Sequence, residues 1–139
     1  MAIIRSYTSV EQSRKLAEIL SLESADGFWE YHDKWSSDGD EWEGYEDYPR
    51  AKPYLEYTRK ENEWKEDKSD VPCWSLAALL KYLSEIKPQE YTFTLTVSEG
   101  KWCLGCMIYG RGYIRDEFNN EPIDVCYEMI LKLHEFKML

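Results

Sequence analysis

Four cysteines and two histidines are the residues of this 139-residue chain with the most selective chemistry. Cys103 and Cys106 form a Cys-x-x-Cys motif, a spacing that binds zinc or carries redox chemistry. Both fall in a segment that alternates like a β-strand, where residues three apart point to opposite faces. Only a bulge at Gly105 would bring the two sulfurs together. Because Cys73 and Cys126 lie at predicted helix positions, the pattern is more typical of scattered thiols in a reduced core than of a metal site.

The histidines and their acidic neighbours lack the spacing of a catalytic site. His32 has Glu30 and Asp33 nearby, but in a strand those neighbours point away from it. His134 falls on the inner side of the predicted last helix, where we interpret it as a packing residue. The chain contains no G-x-S-x-G nucleophile elbow. The sequence therefore predicts no catalytic residue, no metal ligand and no cofactor.

Carboxylates are concentrated in the middle of the chain. Residues 23–70 hold 16 of the 27 acidic residues and 7 of the 17 basic ones, within a net charge of −10. Asp38, Asp40, Glu41 and Glu43 have oxygen ligands that suit calcium, but the glycine does not fall where an EF-hand loop needs it. A solvated acidic loop is the favoured interpretation. The net charge also argues against nucleic-acid binding, because that affinity depends on basic residues that neutralise phosphates.

Aromatic residues are interleaved with these carboxylates. They lie between residues 28 and 64: Trp29, Tyr31, Trp35, Trp42, Tyr45, Tyr48, Tyr54, Tyr57 and Trp64. Exposed Trp and Tyr are typical anchors of protein interfaces, and surrounding carboxylates attract a basic protein. The alternative is that the rings close a small core under a long loop, and the sequence leaves both open. Trp35, Trp42, Tyr45 and Tyr48 are the candidate partner-binding residues.

A helix over residues 69–86 is the element around which the fold is expected to form. Ser69 or Asp70 is placed to cap it, and Pro72 suits a first turn because its missing N–H is not needed there. Trp74 extends its apolar surface. Its inward stripe recurs at helical spacing: Leu76, Leu79, Leu80, Leu83 and Ile86.

Two further helices and a hairpin are predicted around it. Thr8 and Glu11 have the capping-box spacing and begin a helix that runs to about Leu20. Asn120 or Glu121 caps the last helix, with Pro122 in its first turn. Its predicted inner face consists of Ile123, Cys126, Tyr127, Ile130, Leu133 and His134.

The clearest strand pattern runs from Tyr91 to Val97, where apolar residues alternate with threonine. A turn at Glu99 and Gly100 brings the next strand back in an apolar register. The expected pairs are Val97 with Trp102, Leu95 with Leu104, Phe93 with Cys106 and Tyr91 with Ile108.

The middle of the chain is less regular. Residues 28–35 and 54–58 are predicted strands, and residues 36–49 an elaborated loop. The sequence thus predicts one α+β domain over residues 1–139, with a mostly antiparallel sheet of about four strands covered by three helices in the order α-β-β-α-β-β-α. The acidic, aromatic-rich segment spans about residues 23–70.

Three stretches carry a family resemblance: residues 10–17, 71–80 and 122–130. Together they resemble short proteins of gut Bacteroides-type bacteria that often occur in phages and other mobile elements. The resemblance spans most of the chain, and the acidic middle is its variable part. It implies an accessory role in a mobile element and transfers no activity, cofactor or site residue.

The leading hypothesis is a non-enzymatic protein that binds a basic protein partner through residues 28–64. In one version, carboxylates stand in for phosphates and the chain is a decoy for a nucleic-acid-binding host protein. A metal-binding protein or small enzyme using His32, the cysteines or the acidic loop is one alternative, and a self-associating structural component is another. The first residues reach a polar run too soon for a signal peptide, and no apolar run is long enough to span a bilayer, which predicts reduced thiols and a cytoplasmic location away from membranes.

Overall fold

A computed structural model describes residues 5–37, 40–51 and 69–139, with the backbone alone described at 33–37, 40–41, 113–116 and 118. It confirms an α+β fold with three α-helices and antiparallel sheets. The described residues contain eight strands in three sheets, more than the sequence indicated. They fall into two compact units, residues 9–75 and residues 76–139 with the N-terminal residues up to Thr8. A single domain over residues 1–139 stays a prediction.

Helix α1, Val10–Ala17, begins the first unit with a capping box. Ser9 Oγ accepts a hydrogen bond from the Gln12 N–H at 3.2 Å, and the Gln12 side chain accepts one from the Ser9 N–H at 3.0 Å. The sequence placed this motif one residue earlier, at Thr8 and Glu11, which is wrong. Both spacings satisfy the motif, and Thr8 is fully buried, so Ser9 takes the capping position.

Strand β1, Gly27–Trp29, is central in a three-stranded antiparallel sheet between β4, Arg50–Ala51, and β5, Val71–Cys73. The sequence placed Val71–Cys73 in the first turn of the central helix, which is wrong. Asp70 does not cap that helix, because its Oδ1 accepts a hydrogen bond from the Tyr31 N–H at 2.7 Å. Pro72 is tolerated because β5 lies at one end of the described sheet, where a missing N–H costs no ladder bond.

The core of this unit forms where α1 lies against β5. Its buried apolar residues are Leu16, Ala17, Leu20, Ala25, Val71, Cys73 and Trp74. Trp74 is fully buried, and its indole N–H donates to Ser24 Oγ at 2.9 Å. The indole therefore belongs to this core and not to the surface of the following helix.

Strands β2, Tyr31–Ser37, and β3, Asp40–Tyr45, pair only with each other among the described residues. The strand predicted near residues 28–35 is thus present as β1 and β2, but the loop predicted over residues 36–49 is wrong. Acidic residues have low strand propensity, and here cross-strand aromatic pairs compensate for it. Trp35 is opposite Trp42 and Tyr31 is opposite Tyr45. The strand predicted at residues 54–58 lies outside the described residues.

The second unit contains a sheet of β6, Tyr91–Ser98, β7, Lys101–Ile108, and β8, Gly112–Asn119, in that order. All four predicted cross-strand pairs of β6 and β7 are confirmed. The turn places Glu99 at φ 53° and Gly100 at φ 77°. Positive φ at both positions is the geometry whose twist matches that of the flanking strands. Strand β8 was not predicted, because charged residues interrupt its alternation.

Helix α2, Leu76–Glu85, lies beside β6 and against α3, Pro122–Glu135, which crosses β7 and β8. Glu121, one of the two predicted caps, occupies the N-cap position of α3, but its side chain makes no capping hydrogen bond; Pro122 follows it as predicted. The Arg5 guanidinium forms ion pairs with Glu121 at 2.7 Å and with Asp124. These pairs hold the segment before Thr8 to the start of α3.

The buried face of α3 is close to the predicted one. Its buried residues are Ile123, Val125, Cys126, Met129, Ile130 and Leu133. The placement of His134 on this face is wrong, because its side chain is exposed. The inner face is centred towards Met129, which leaves His134 beyond its edge. Among the described residues, no helix is both long and apolar enough to cross a lipid bilayer.

Candidate functional site

The acidic hairpin, which we define as residues 31–37 and 40–51, carries the predicted binding residues. It holds six acidic and two basic residues. The register of β2 and β3 shifts between His32 and Trp35, which marks a bulge. A bulge increases local twist and changes the direction of the following side chains.

One face of the hairpin is formed by His32 and Trp42. His32 is opposite Gly44, and Trp42 lies two residues before Gly44, so both side chains share a face. Their ring centroids are 5.7 Å apart. The φ of Gly44 is 142°, which disfavours any residue with a Cβ, and a Cβ there would lie 3.9 Å from the indole. The Trp42 indole therefore lies beside the His32 imidazole and next to the Gly44 backbone, which carries no side chain.

A chain of charged contacts links His32 to Glu46, Arg50 and Glu30. His32 Nε2 lies 3.0 Å from Glu46 Oε1, and Arg50 Nη2 lies 3.7 Å from the same oxygen. Arg50 Nε lies 2.9 Å from Glu30 Oε2, a buried oxygen that accepts no hydrogen bond because the guanidinium approaches at ion-pair distance without hydrogen-bond geometry. The carboxylates of Glu46 and Glu30 thus neutralise Arg50. Acidic residues still outnumber basic ones in the hairpin.

Tyr45 lies on the other face and ties the hairpin to its own unit. Its hydroxyl accepts a hydrogen bond from Arg14 Nη2 at 2.6 Å and donates one to the Ser69 carbonyl at 2.8 Å. Its ring meets Tyr31 edge-on at 5.4 Å between centroids, and the Arg14 cation lies 6.0 Å from it. The Tyr45 ring is half-buried, and its hydroxyl both accepts and donates a hydrogen bond. These features are typical of a residue that holds the hairpin in position.

The four predicted binding residues therefore have different surroundings. Trp35 and Trp42 are direct cross-strand partners, although the Trp35 side chain lies outside the description. Trp42 and Tyr45 are half-buried, and Tyr48 is 71% exposed. Strands β2 and β3 carry Trp35, Trp42 and Tyr45, and Tyr48 lies three residues after the end of β3.

Glu46, Arg50 and Arg14 were not predicted as site residues. The opposite charges of Glu46 and Arg50 at a spacing of four were visible in the sequence, but such pairs are common on surfaces. The contacts of Glu46 with His32 and of Arg14 with Tyr45 require knowledge of the strand pairing. No local pattern could have identified them.

The Cys-x-x-Cys motif has the strand geometry that the sequence predicted. The register of β6 and β7 continues past Gly105 without interruption, so Cys103 and Cys106 point to opposite faces. Burial raises the pKa of the Cys106 thiol and raises the pKa of Cys126 to about 12. Burial also raises the pKa of Cys73, and the negative charge of Asp26 adds to this effect. A thiol that stays protonated is a poor nucleophile and a poor metal ligand.

The metal alternative finds no support in the described part of the chain. There, no group of three or more His, Cys, Asp or Glu side chains is placed to hold a metal ion. Of the predicted acidic loop, Asp38 and the side chains of Asp40 and Glu41 lie outside the described residues. His32 and Glu46 form an imidazole–carboxylate pair, but an aromatic ring covers the imidazole on this face.

Comparison with known proteins adds no site residue. No protein-family model, curated protein or solved structure matches this chain. The resemblance to phage and mobile-element proteins of gut Bacteroides-type bacteria therefore stays a prediction. The surface must be interpreted from its own geometry.

Proposed function

We propose that the chain is a non-enzymatic accessory protein of the cytoplasm that binds a basic protein partner through the acidic hairpin. The observation that carries this proposal is Tyr48, a ring 71% exposed beside Asp47 and Glu46. Exposed Tyr and Trp rings are typical anchors of protein interfaces. Arg50 offsets the charge of Glu46, with which it is paired, so Asp47 is the carboxylate of these two that can attract a basic partner.

Trp42 is the second anchor in this proposal. Its indole is held against His32, so little side-chain entropy is lost when a partner covers it. Truncation of such an aromatic anchor costs about 2 kcal/mol or more in binding, which is at least about 30-fold in affinity. Trp35 is the cross-strand partner of Trp42 in the backbone register, and Tyr45 positions the hairpin.

The surrounding carboxylates contribute mainly to the rate of association. A complementary charge steers a basic protein to the hairpin, and salt screens this effect. In the decoy version, the partner is a nucleic-acid-binding protein of the host, as the mobile-element resemblance favours. That version requires carboxylates at phosphate-like spacing on a rigid surface, and part of the set, Asp40 and Glu41, lies outside the described side chains.

The test is affinity capture from the native cell followed by measurement with the purified partner. The binding variants are Trp42→Ala and Tyr48→Ala. The matched control is Tyr109→Ala, because Tyr109 is 87% exposed in the other unit and lies between Ile108 and Gly110 instead of carboxylates. We expect a partner that the two binding variants lose and the control retains. Capture at wild-type level by all three variants would refute the proposal.

Salt tests the charge of the partner separately. The Debye length falls from about 10 Å at 0.1 M salt to about 3 Å at 1 M, so association with a basic protein should slow as salt rises. An association rate that does not change over this range would exclude a basic partner, even if the aromatic anchors hold.

A further inference from the structure

Strand β6 has an outer edge along which no described strand is paired. Opposed residues of an antiparallel ladder alternate between bonded and unbonded pairs. The Tyr109 N–H donates to the Glu90 carbonyl at 2.8 Å, so residues 92, 94, 96 and 98 direct their backbone groups towards β7. Residues 91, 93, 95 and 97 direct theirs away, and the Tyr91 N–H is used by the Lys87 carbonyl at 2.9 Å. Phe93, Leu95 and Val97 therefore present donors and acceptors along the edge, where no described strand pairs with them.

The two ends of this sheet differ in how they are protected. Strand β8 carries Arg115, Asp116 and Glu117, and its register with β7 is broken by a bulge. Charges and bulges are the devices that keep an edge from pairing. Strand β6 has no charged residue between Tyr91 and Ser98, and its register with β7 has no shift. It is a regular, uncharged edge of eight residues.

An apolar groove lies on the face of the sheet that carries Phe93 and Leu95. It has a volume of about 300 Å³ and runs between α2 and β6, where Leu80, Ser84, Pro88, Phe93 and Leu95 are among its lining residues. A strand added to β6 would direct every second side chain to the face that carries this groove. The site therefore suits an extended, uncharged segment with apolar residues at alternate positions.

We infer that the occupant is a second copy of this chain, with β6 paired to β6 in antiparallel orientation. Strand β6 itself has the required pattern, because apolar residues alternate with threonines from Tyr91 to Val97. Two molecules of net charge −10 repel each other, and an uncharged edge is where they can approach at least cost. The inference is independent of the acidic hairpin.

The register follows from the free backbone groups. With the two-fold axis at Leu95, Leu95 pairs with Leu95 of the second copy and Phe93 pairs with Val97 of the second copy. All of these residues direct their backbone groups outwards, so the pairing forms about six hydrogen bonds and joins both sheets into one. It also places the apolar side chains of both copies on the sheet faces that carry the two grooves. Val97, which is 57% exposed in the single chain, becomes covered.

Thr94 and Thr96 allow a sharp test. Both are exposed, and their side chains point away from the groove face. In the inferred register, Thr94 lies opposite Thr96 of the second copy. The double variant Thr94→Lys with Thr96→Lys therefore places like charges across the interface, whereas Thr94→Lys with Thr96→Glu places opposite charges there. The two variants change the same exposed positions, so each controls for the effect of the other on folding.

The measurement is molar mass by light scattering, with circular dichroism to confirm that each variant is folded. At concentrations up to about 1 mM, we expect twice the chain mass of 16.6 kDa for the wild type and for the Lys/Glu variant. The Lys/Lys variant should remain at 16.6 kDa. A monomeric wild type, a dimeric Lys/Lys variant, or a folded Lys/Glu variant that is monomeric would each overturn the inference.

Discussion

Replacement of Tyr45 by Phe should loosen the acidic hairpin while keeping every ring contact. The variant removes only the hydroxyl, which accepts from Arg14 and donates to the Ser69 carbonyl. The edge-on contact with Tyr31 remains, because it involves the ring alone. Any effect therefore reports on the two hydrogen bonds.

The loss of stability depends on how Arg14 and the Ser69 carbonyl are hydrogen-bonded once the Tyr45 hydroxyl is removed. Arg14 is half-exposed, so water replaces its lost acceptor and the cost there is below about 1 kcal/mol. Ser69 is buried, and the net loss of one hydrogen bond to its carbonyl costs about 0.5–1.5 kcal/mol. We expect a total of about 2 kcal/mol, which raises the opening equilibrium constant of the hairpin about 30-fold.

Hydrogen exchange of peptides from residues 31–51, followed by mass spectrometry, measures this opening directly. The matched control is Tyr48→Phe, because the Tyr48 side chain is 71% exposed and its hydroxyl can bond to water in either state. We expect about 30-fold faster exchange for Tyr45→Phe and an unchanged rate for the control. Exchange within about threefold of wild type in Tyr45→Phe would show that these bonds do not hold the hairpin, and Tyr45 would return to the set of binding anchors.

Two further predictions concern the second unit. Positions 99 and 100 both have positive φ, which Asn tolerates better than Glu and Gly better than Ala. Glu99→Asn should therefore raise the free energy of unfolding by about 0.5–1 kcal/mol, and Gly100→Ala should lower it by about 1 kcal/mol. Urea unfolding that shows the opposite signs would contradict the turn geometry. Unfolding free energy should also fall as pH rises from 9 to 12, because the unfolded Cys126 thiol ionises near 9.0 whereas the folded thiol has a pKa of about 12. Cys126→Ala should remove that part of the pH dependence, and an unchanged slope would show that the thiol ionises equally in both states.

The parts of the fold that the sequence predicts well are those with local causes. The β6–β7 register follows from a period of two and from a turn whose residues lie next to each other, so no distant contact was needed. The start of α3 is equally local, because Pro122 and the residue before it define a first turn. The residues that determine such elements lie close together in the sequence.

The errors occur where a distant residue decides between two local possibilities. Residues 69–72 satisfy the pattern of a helix start, but Asp70 is used by Tyr31 and Val71 pairs with Trp29. Strand β3 was interpreted as a loop because acidic residues disfavour strands until β2 supplies the pairing. The candidate site depends on the same strand, so its contacts between His32, Glu46 and Arg50 could not be predicted.

Salt separates the two proposed interfaces, because they rest on different physics. The acidic hairpin attracts its partner through carboxylates, so added salt should weaken that complex by slowing association. The β6 edge carries no charge, and two chains of net charge −10 repel each other at long range, so salt should leave self-association unchanged or strengthen it. If self-association also weakened with salt, opposite charges would have to meet in its interface, and the uncharged edge would lose its role.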